Sequence, residues 1–177
     1  MKDILRKINR VTESIEKFVV IASILLMMVN STANAIGRYV FSKSLFFSEE
    51  LNQFLIVAIT FIGFAYAVRK GRNIRMTAVY DSLGYTAKKT LSTLITVSTA
   101  ILMLYLAYKA VFYVIELKDI NRLSPALQFP VYIIYSIIPV GLSIAGLQYL
   151  IAFIMNITHK EIYLSYEVID SPIEESL

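Results

Sequence analysis

The chain has 177 residues, 57% of them hydrophobic and 17% charged, with a net charge of +4 at pH 7 and no cysteine. A mean hydropathy of +0.65 is too high for an ordinary soluble domain of this size, and without thiols there are no disulfides and no thiolate metal sites. The modest positive charge is placed as a membrane-topology signal and a contact with anionic lipid, which argues against nucleic acid as a partner.

A helix that crosses about 30 Å of hydrocarbon needs roughly 20 mostly apolar residues. Four stretches qualify, at residues 18–36, 51–68, 90–113 and 131–156, joined by short polar segments that leave no room for a separate catalytic domain. The predicted fold is therefore an all-α integral membrane protein. It has an amphipathic interfacial helix over residues 1–17, a four-helix transmembrane domain over 18–156 and a cytoplasmic acidic tail over 157–177.

In the first segment Ile4, Leu5, Ile8, Val11, Ile15 and Phe18 recur at spacings of three and four, the pattern of a helix lying at the interface. A basic start, an apolar run and then Ala33, Asn34 and Ala35 also resemble a secretory signal with a cleavage site. The long leading region with Asp3, Glu13 and Glu16 argues against that, and the first span is expected to be retained.

Asn30, Asn34 and Arg38 lie four apart and share one side of the first span near its outer end. An amide facing lipid lacks partners, so this stripe is expected to face protein. Ser48 is expected to cap the second helix, with Glu49 and Glu50 in its first turn where the helix dipole favours carboxylates. Arg38 is expected to pair with Glu49 or Glu50 across the corner, and Tyr39, Phe41, Phe46 and Phe47 form an aromatic belt. Glu49, Gln53, Thr60, Gly63 and Ala67 share a face of the second helix, running from charged to small. That face suits either a partner helix or the protein's own packing.

The second span ends in RKGRNIRMTAVYDSLGYTAKK, and this joint sets the orientation. With the N-terminus inside, only Arg38, Lys43, Lys109, Lys118 and Arg122 of the 17 basic residues fall outside. N-in and C-in with four crossings is the consistent topology. Asp81, just after this joint, reads as a partner for a nearby arginine.

The hydroxyls of Thr90, Ser92, Thr93, Thr96, Ser98 and Thr99 in the third span can return to backbone carbonyls and do not imply a pore. Lys109 and Glu116 near its outer end read as a local ion pair or as snorkelling side chains. Pro125 and Pro130 restrict a short extended link, and Pro130 can open the next helix. Pro139 lies inside the fourth span, where it should bend the helix and free the carbonyl of Tyr135. Gly141 and Gly146 beside it suit close packing, against a larger bundle or against the protein's own helices. The tail after His159 is polar, carries Pro172 and has no helical period, so partial disorder is expected.

No arrangement for catalysis emerges. His159 is the single histidine and lies beside Lys160 and Glu161 past the last span. There is no phosphate-binding glycine loop, HExxH or nucleophile elbow, and the chain is too short for the paired inverted repeats of a complete secondary transporter. It reads as an accessory subunit and not as an enzyme.

Taken in order, NAIGRYVF, SEEL, TFIGFAYAVRKGRNIRM and RLSPALQFPVYIIYSIIPVGL resemble the small membrane subunit of tripartite ATP-independent periplasmic (TRAP) transporters, the DctQ-like family. The match runs over about residues 30–150, and the ordered set is more specific than any one motif. Asn73 stands where the family often has histidine, and Phe47 precedes Ser48 where tryptophan is common.

The resemblance implies a four-helix subunit bound to a large membrane subunit that holds the substrate and sodium sites and moves as an elevator. A periplasmic binding protein would deliver an organic acid such as a dicarboxylate or sialic acid. On this reading the chain carries no cofactor, metal or catalytic residue of its own, and sodium coupling belongs to the large subunit. The residues expected to face the large subunit are Asn30, Asn34, Arg38, Glu49, Glu50, Gln53, Thr60 and Gly63, and those expected to meet the binding protein are Lys43, Lys118, Asp119 and Arg122. The alternative is a self-contained four-helix channel or exporter, which would need a polar path through the bundle.

Overall fold

The computed structural model describes residues 2–72, 80, 83–165 and 168–169, with side chains from residue 9 onward. Asn73, Asp81 and Pro172 lie outside the described residues. The chain forms α1 (Lys2–Phe41), α2 (Ser48–Arg69), α3 (Tyr85–Asp119), α4 (Val131–Tyr135) and α5 (Ile137–Thr158). α4 and α5 together make the fourth of four segments long and apolar enough to cross a membrane.

The interruption between α4 and α5 has a local cause. Pro139 has no N–H to offer the carbonyl of Tyr135, and its ring crowds that carbonyl. The helix breaks at Ser136, whose N–H donates to Tyr132 O at 3.0 Å and whose hydroxyl donates to Ile133 O at 2.5 Å. Pro130 caps α4, with the fixed φ that suits a helix start.

The spans stand in the order first, second, fourth, third: α1 packs along α2, α2 on α5, and α5 on α3. Small residues make this row possible. A Cβ on Gly141 would fall 2.5 Å from the carbonyl oxygen of Phe61, so backbone meets side-chain-free backbone where α5 crosses α2. A Cβ on Gly146 would fall 2.9 Å from the Leu104 side chain of α3, and Ala65, Val68 and Ala145 form the core between α2 and α5. These glycines therefore serve the protein's own helices. On α3, Thr90, Thr93 and Thr96 donate their hydroxyls to Thr86 O, Lys89 O and Ser92 O, as the sequence predicts. Lys109 lies over the ring of Tyr105 at 5.7 Å and not against Glu116.

α1 is 40 residues long, about 60 Å at 1.5 Å per residue and twice the hydrocarbon thickness. It runs unbroken through residues 17–18, where the sequence suggests a change from interfacial helix to span. Its level against the bundle is fixed by an ion pair that the sequence does not reveal. Arg69, at the end of α2, donates Nε to Glu16 Oε2 and Nη2 to Glu16 Oε1, both at 2.9 Å, with Glu16 1% and Arg69 3% exposed. Lys70 Nζ lies 2.6 Å from Glu13 Oε1, and Arg69 Nη1 reaches Asn9 O at 3.5 Å. Residues 2–15 thus extend about 20 Å beyond the end of α2.

The same end gathers the residues after α5. Tyr163 donates its N–H to Asn156 Oδ1 at 2.7 Å and accepts from Asn156 Nδ2 at 2.8 Å, so one amide side chain replaces a strand partner. Ser165 donates Oγ to Arg69 O at 2.7 Å, and Val168 packs beside Gly71, which closes α2 at φ +61°. Residues 161–165, expected to trail loosely, are folded back onto α2 because Asn156 and the end of α2 supply the bonds that a polar tail otherwise takes from water.

Removing one partner of a buried ion pair costs roughly 3–5 kcal/mol, whereas replacing both with apolar groups of similar size is often close to neutral. Glu16→Ala or Arg69→Ala should therefore lower the melting temperature of the detergent-solubilised protein sharply. The double variant Glu16→Met, Arg69→Met should recover most of the loss. Equal losses for single and double variants in a thermal size-exclusion assay would show that the pair does not act as a unit.

Candidate interface and docking surface

The end opposite the Glu16–Arg69 pair holds all the residues singled out for docking and most of those expected at an interface. Hydrogen bonds fix the first hairpin. Asn30 Nδ2 donates to Ser48 O at 2.9 Å and to Asn52 Oδ1 at 2.8 Å, and Asn52 Nδ2 passes the chain on to Ser31 Oγ at 3.0 Å. Asn34 Oδ1 accepts from Leu45 N–H at 2.8 Å and Ser44 Oγ at 3.0 Å. Both asparagines face protein, as expected, and the protein they face is their own chain. Asn52 was not foreseen, because its role depends on a register between α1 and α2 that no single motif encodes.

α2 begins at Ser48 itself, with Phe47 in the N-cap position and no side-chain cap bond. Ser48 is buried and contributes its carbonyl to Asn30. The expected pairing of Arg38 with Glu49 or Glu50 does not form. Arg38 instead turns outward over the ring of Tyr39, with Cζ 5.0 Å from the centroid and Nη2 3.3 Å from the hydroxyl. The reason is that Glu50 has better partners.

The carboxylate of Glu50 is enclosed by the joint between α3 and α4. Its Oε1 accepts Ala126 N–H at 2.9 Å, and its Oε2 accepts Leu127 N–H at 3.1 Å and the hydroxyl of Ser124. The joint predicted as an extended link is a compact turn. Ser124 N–H donates to Phe129 O at 2.9 Å, Gln128 N–H to Ser124 O at 3.0 Å and Val131 N–H to Arg122 O at 3.1 Å. Asn121 and Gln128 take left-handed φ values of 50° and 51° to allow it. Successive backbone N–H groups aimed inward form an anion-holding concavity, and a carboxylate of the protein fills it.

This clasp sets where the charged residues stand. Lys118 and Asp119 are exposed on the closing turn of α3, Arg122 is exposed in the joint that follows, and Lys43 is exposed at the first corner. Arg122 borders a cleft of about 90 Å³ shared with Glu50, Gln53, Tyr113 and Ser124. Of the residues expected to face a large partner, Arg38, Glu49, Gln53 and Thr60 are exposed. Asn30, Asn34 and Glu50 join the chain's own elements, and a Cβ on Gly63 would fall 3.7 Å from Val20 of α1. Tyr39, Phe41 and Phe46 are exposed, in keeping with an aromatic belt at headgroup depth.

Comparison with known proteins agrees with this geometry. Residues 27–159 match the family described as tripartite ATP-independent periplasmic transporters, DctQ component. Over 167 residues the chain is 43% identical to the ectoine TRAP transporter small permease protein TeaB of Halomonas elongata, covering 94% of this chain and 86% of that protein. Residues 27–159 hold the first hairpin, the Glu50 clasp and all of the helical row except the first part of α1. This chain belongs to the DctQ family, and it is a small permease subunit of a TRAP transporter, a multi-pass protein of the bacterial inner membrane and not an enzyme.

Proposed function

We propose that the chain is the scaffold subunit of a sodium-driven, three-part system that imports ectoine. The observation that carries the cargo is the 43% identity, sustained over 94% of the chain, to a small permease protein named for ectoine. It favours ectoine over the dicarboxylate or sialic acid expected from the family at large. Sodium and cargo would bind in a large membrane subunit, since this chain's polar side chains serve hairpin, clasp and ion pair.

In this reading the large subunit meets the exposed stripe of α2 that carries Gln53, Ile56 and Thr60, with Arg38 and Glu49 at its outer rim. The binding protein meets Lys43, Lys118, Asp119 and Arg122, whose mixed charges would steer its approach. The positive-inside bias supports a periplasmic position for these four residues. Asn30, Asn34, Glu50 and Gly63 stand one step behind the contact surfaces and hold them in shape.

Reconstituting this chain with its large subunit and binding protein should give ectoine uptake that requires all three components and collapses when sodium is replaced by choline. Uptake of succinate or sialic acid without ectoine would replace the cargo and leave the family untouched. Orientation can be read separately, because the chain has no native cysteine. Lys43→Cys and Lys118→Cys should react with an impermeant maleimide in intact spheroplasts, and Lys160→Cys only after permeabilisation. The opposite pattern would invert the topology.

Glu50→Ala removes the acceptor for three donors in the second outer joint, whereas Glu49→Ala changes an exposed neighbour. Uptake at limiting binding protein should fall severalfold for Glu50→Ala and recover partly at excess, with Glu49→Ala close to wild type and the amount of membrane complex equal in both. Equal behaviour of the two variants would separate the clasp from docking.

A further inference from the structure

At the end of the row that holds the Glu16–Arg69 pair, an open crevice of about 480 Å³ runs between α3 and α5. Its mouth is polar, with Tyr85, Thr86, Lys89 and Thr90 on the first turns of α3, and its depth is apolar, with Leu94, Val97 and Ile157. From Lys89 to Val97 is about 12 Å along the helix axis, so polarity falls along the direction in which the helix crosses the bilayer.

The hydroxyls of Thr90 and Thr93 are committed to carbonyls of their own helix. The cation at the mouth is different. Lys89 Nζ donates to His159 O at 2.7 Å, and the Tyr85 hydroxyl donates to Lys160 O. Both acceptors are neutral carbonyls, and an ammonium has three donors, so the charge of Lys89 is held at the mouth without a carboxylate beside it among the described residues. Lys160 and Glu161, both exposed, follow His159, and the Glu161 carboxylate accepts the hydroxyl of Tyr163.

We propose that this crevice is a phospholipid site. An anionic glycerophospholipid fits it with its phosphate at Lys89 and Tyr85 and one acyl chain along Leu94, Val97 and Ile157. The charge at the mouth calls for an anion, and the floor calls for hydrocarbon in the same molecule, a demand that inorganic phosphate does not meet. The proposal requires only that the spans cross a bilayer and is independent of the transported cargo.

The test uses the full chain purified with its large partner, exchanged into detergent with equal amounts of phosphatidylglycerol and phosphatidylcholine of matched tails, and read by native mass spectrometry. The wild-type chain should retain phosphatidylglycerol about fivefold over phosphatidylcholine, the scale of one lysine beside anionic lipid. Lys89→Gln should bring that ratio close to one. Val97→Phe should lower retention of both lipids and leave their ratio unchanged. Independently of any variant, a phosphatidylglycerol with a diazirine in its tail should crosslink the wild-type chain within residues 85–97 and 154–158. No lipid preference, crosslinks confined elsewhere, or no effect of Val97→Phe would overturn the site. Displacement by inorganic phosphate would assign the mouth to a free anion and overturn it equally.

Discussion

Hydrocarbon offers no hydrogen bonds, so every polar group that the four spans carry to the edge of the membrane must find its partner in the protein. Most of this structure follows from that demand. Asn30 and Asn34 are placed where a hairpin has unpaired backbone groups, and they take those groups as partners. Glu50 lies where the next joint passes, and three donors of that joint converge on it. At the other end Glu16 and Arg69 neutralise each other, and Asn156 and Ser165 tie the chain after α5 back to the bundle. Gln148 is the exception: its amide is buried with neither polar atom bonded among the described residues, at a cost on the order of 1–3 kcal/mol.

Between these two polar layers the packing is carried by small residues. Lipid tails are as apolar as leucine, so helices in a membrane associate through close contact and not through expulsion of water. Gly141 and Ala145 on α5 let α2 approach from one side, and Gly146 lets α3 approach from the other. The outcome is a row of helices and not a closed ring. The second and fourth spans stand inside the row, and the first and third stand at its ends. The row also leaves broad apolar flanks, among them Phe18 at 72% exposure on α1, as a component of a larger membrane assembly requires.

The features legible in the sequence are those that depend on composition and on neighbours within a few residues. Span length, the break caused by Pro139, the threonine hydroxyls returned along α3 and the inward-facing asparagines all follow from local rules. The family was legible as well, because its motifs fall in a fixed order along the chain. The misreadings share one cause, which is that polar partners far apart in sequence cannot be matched without knowing the row. Glu16 and Arg69 are 53 residues apart and Glu50 and Ser124 are 74 apart. Charge alone pairs Arg38 with the nearest carboxylates. The turn at Ser124–Phe129 offers Glu50 backbone N–H groups already aimed at one point, and a preorganised set of donors outcompetes a flexible guanidinium at the water's edge.

The two fastenings differ in what they hold. The Glu16–Arg69 pair fixes one helix against another near the end of α2, where both side chains are dry and the geometry is bidentate. The Glu50 clasp fixes a surface turn, whose backbone would otherwise sample many conformations, to the first turn of a rigid span. Ordering that turn in advance removes the conformational cost that a partner would face on binding it. Together the fastenings hold two patches at a constant separation, one at the α1–α2 corner and one on the clasped joint.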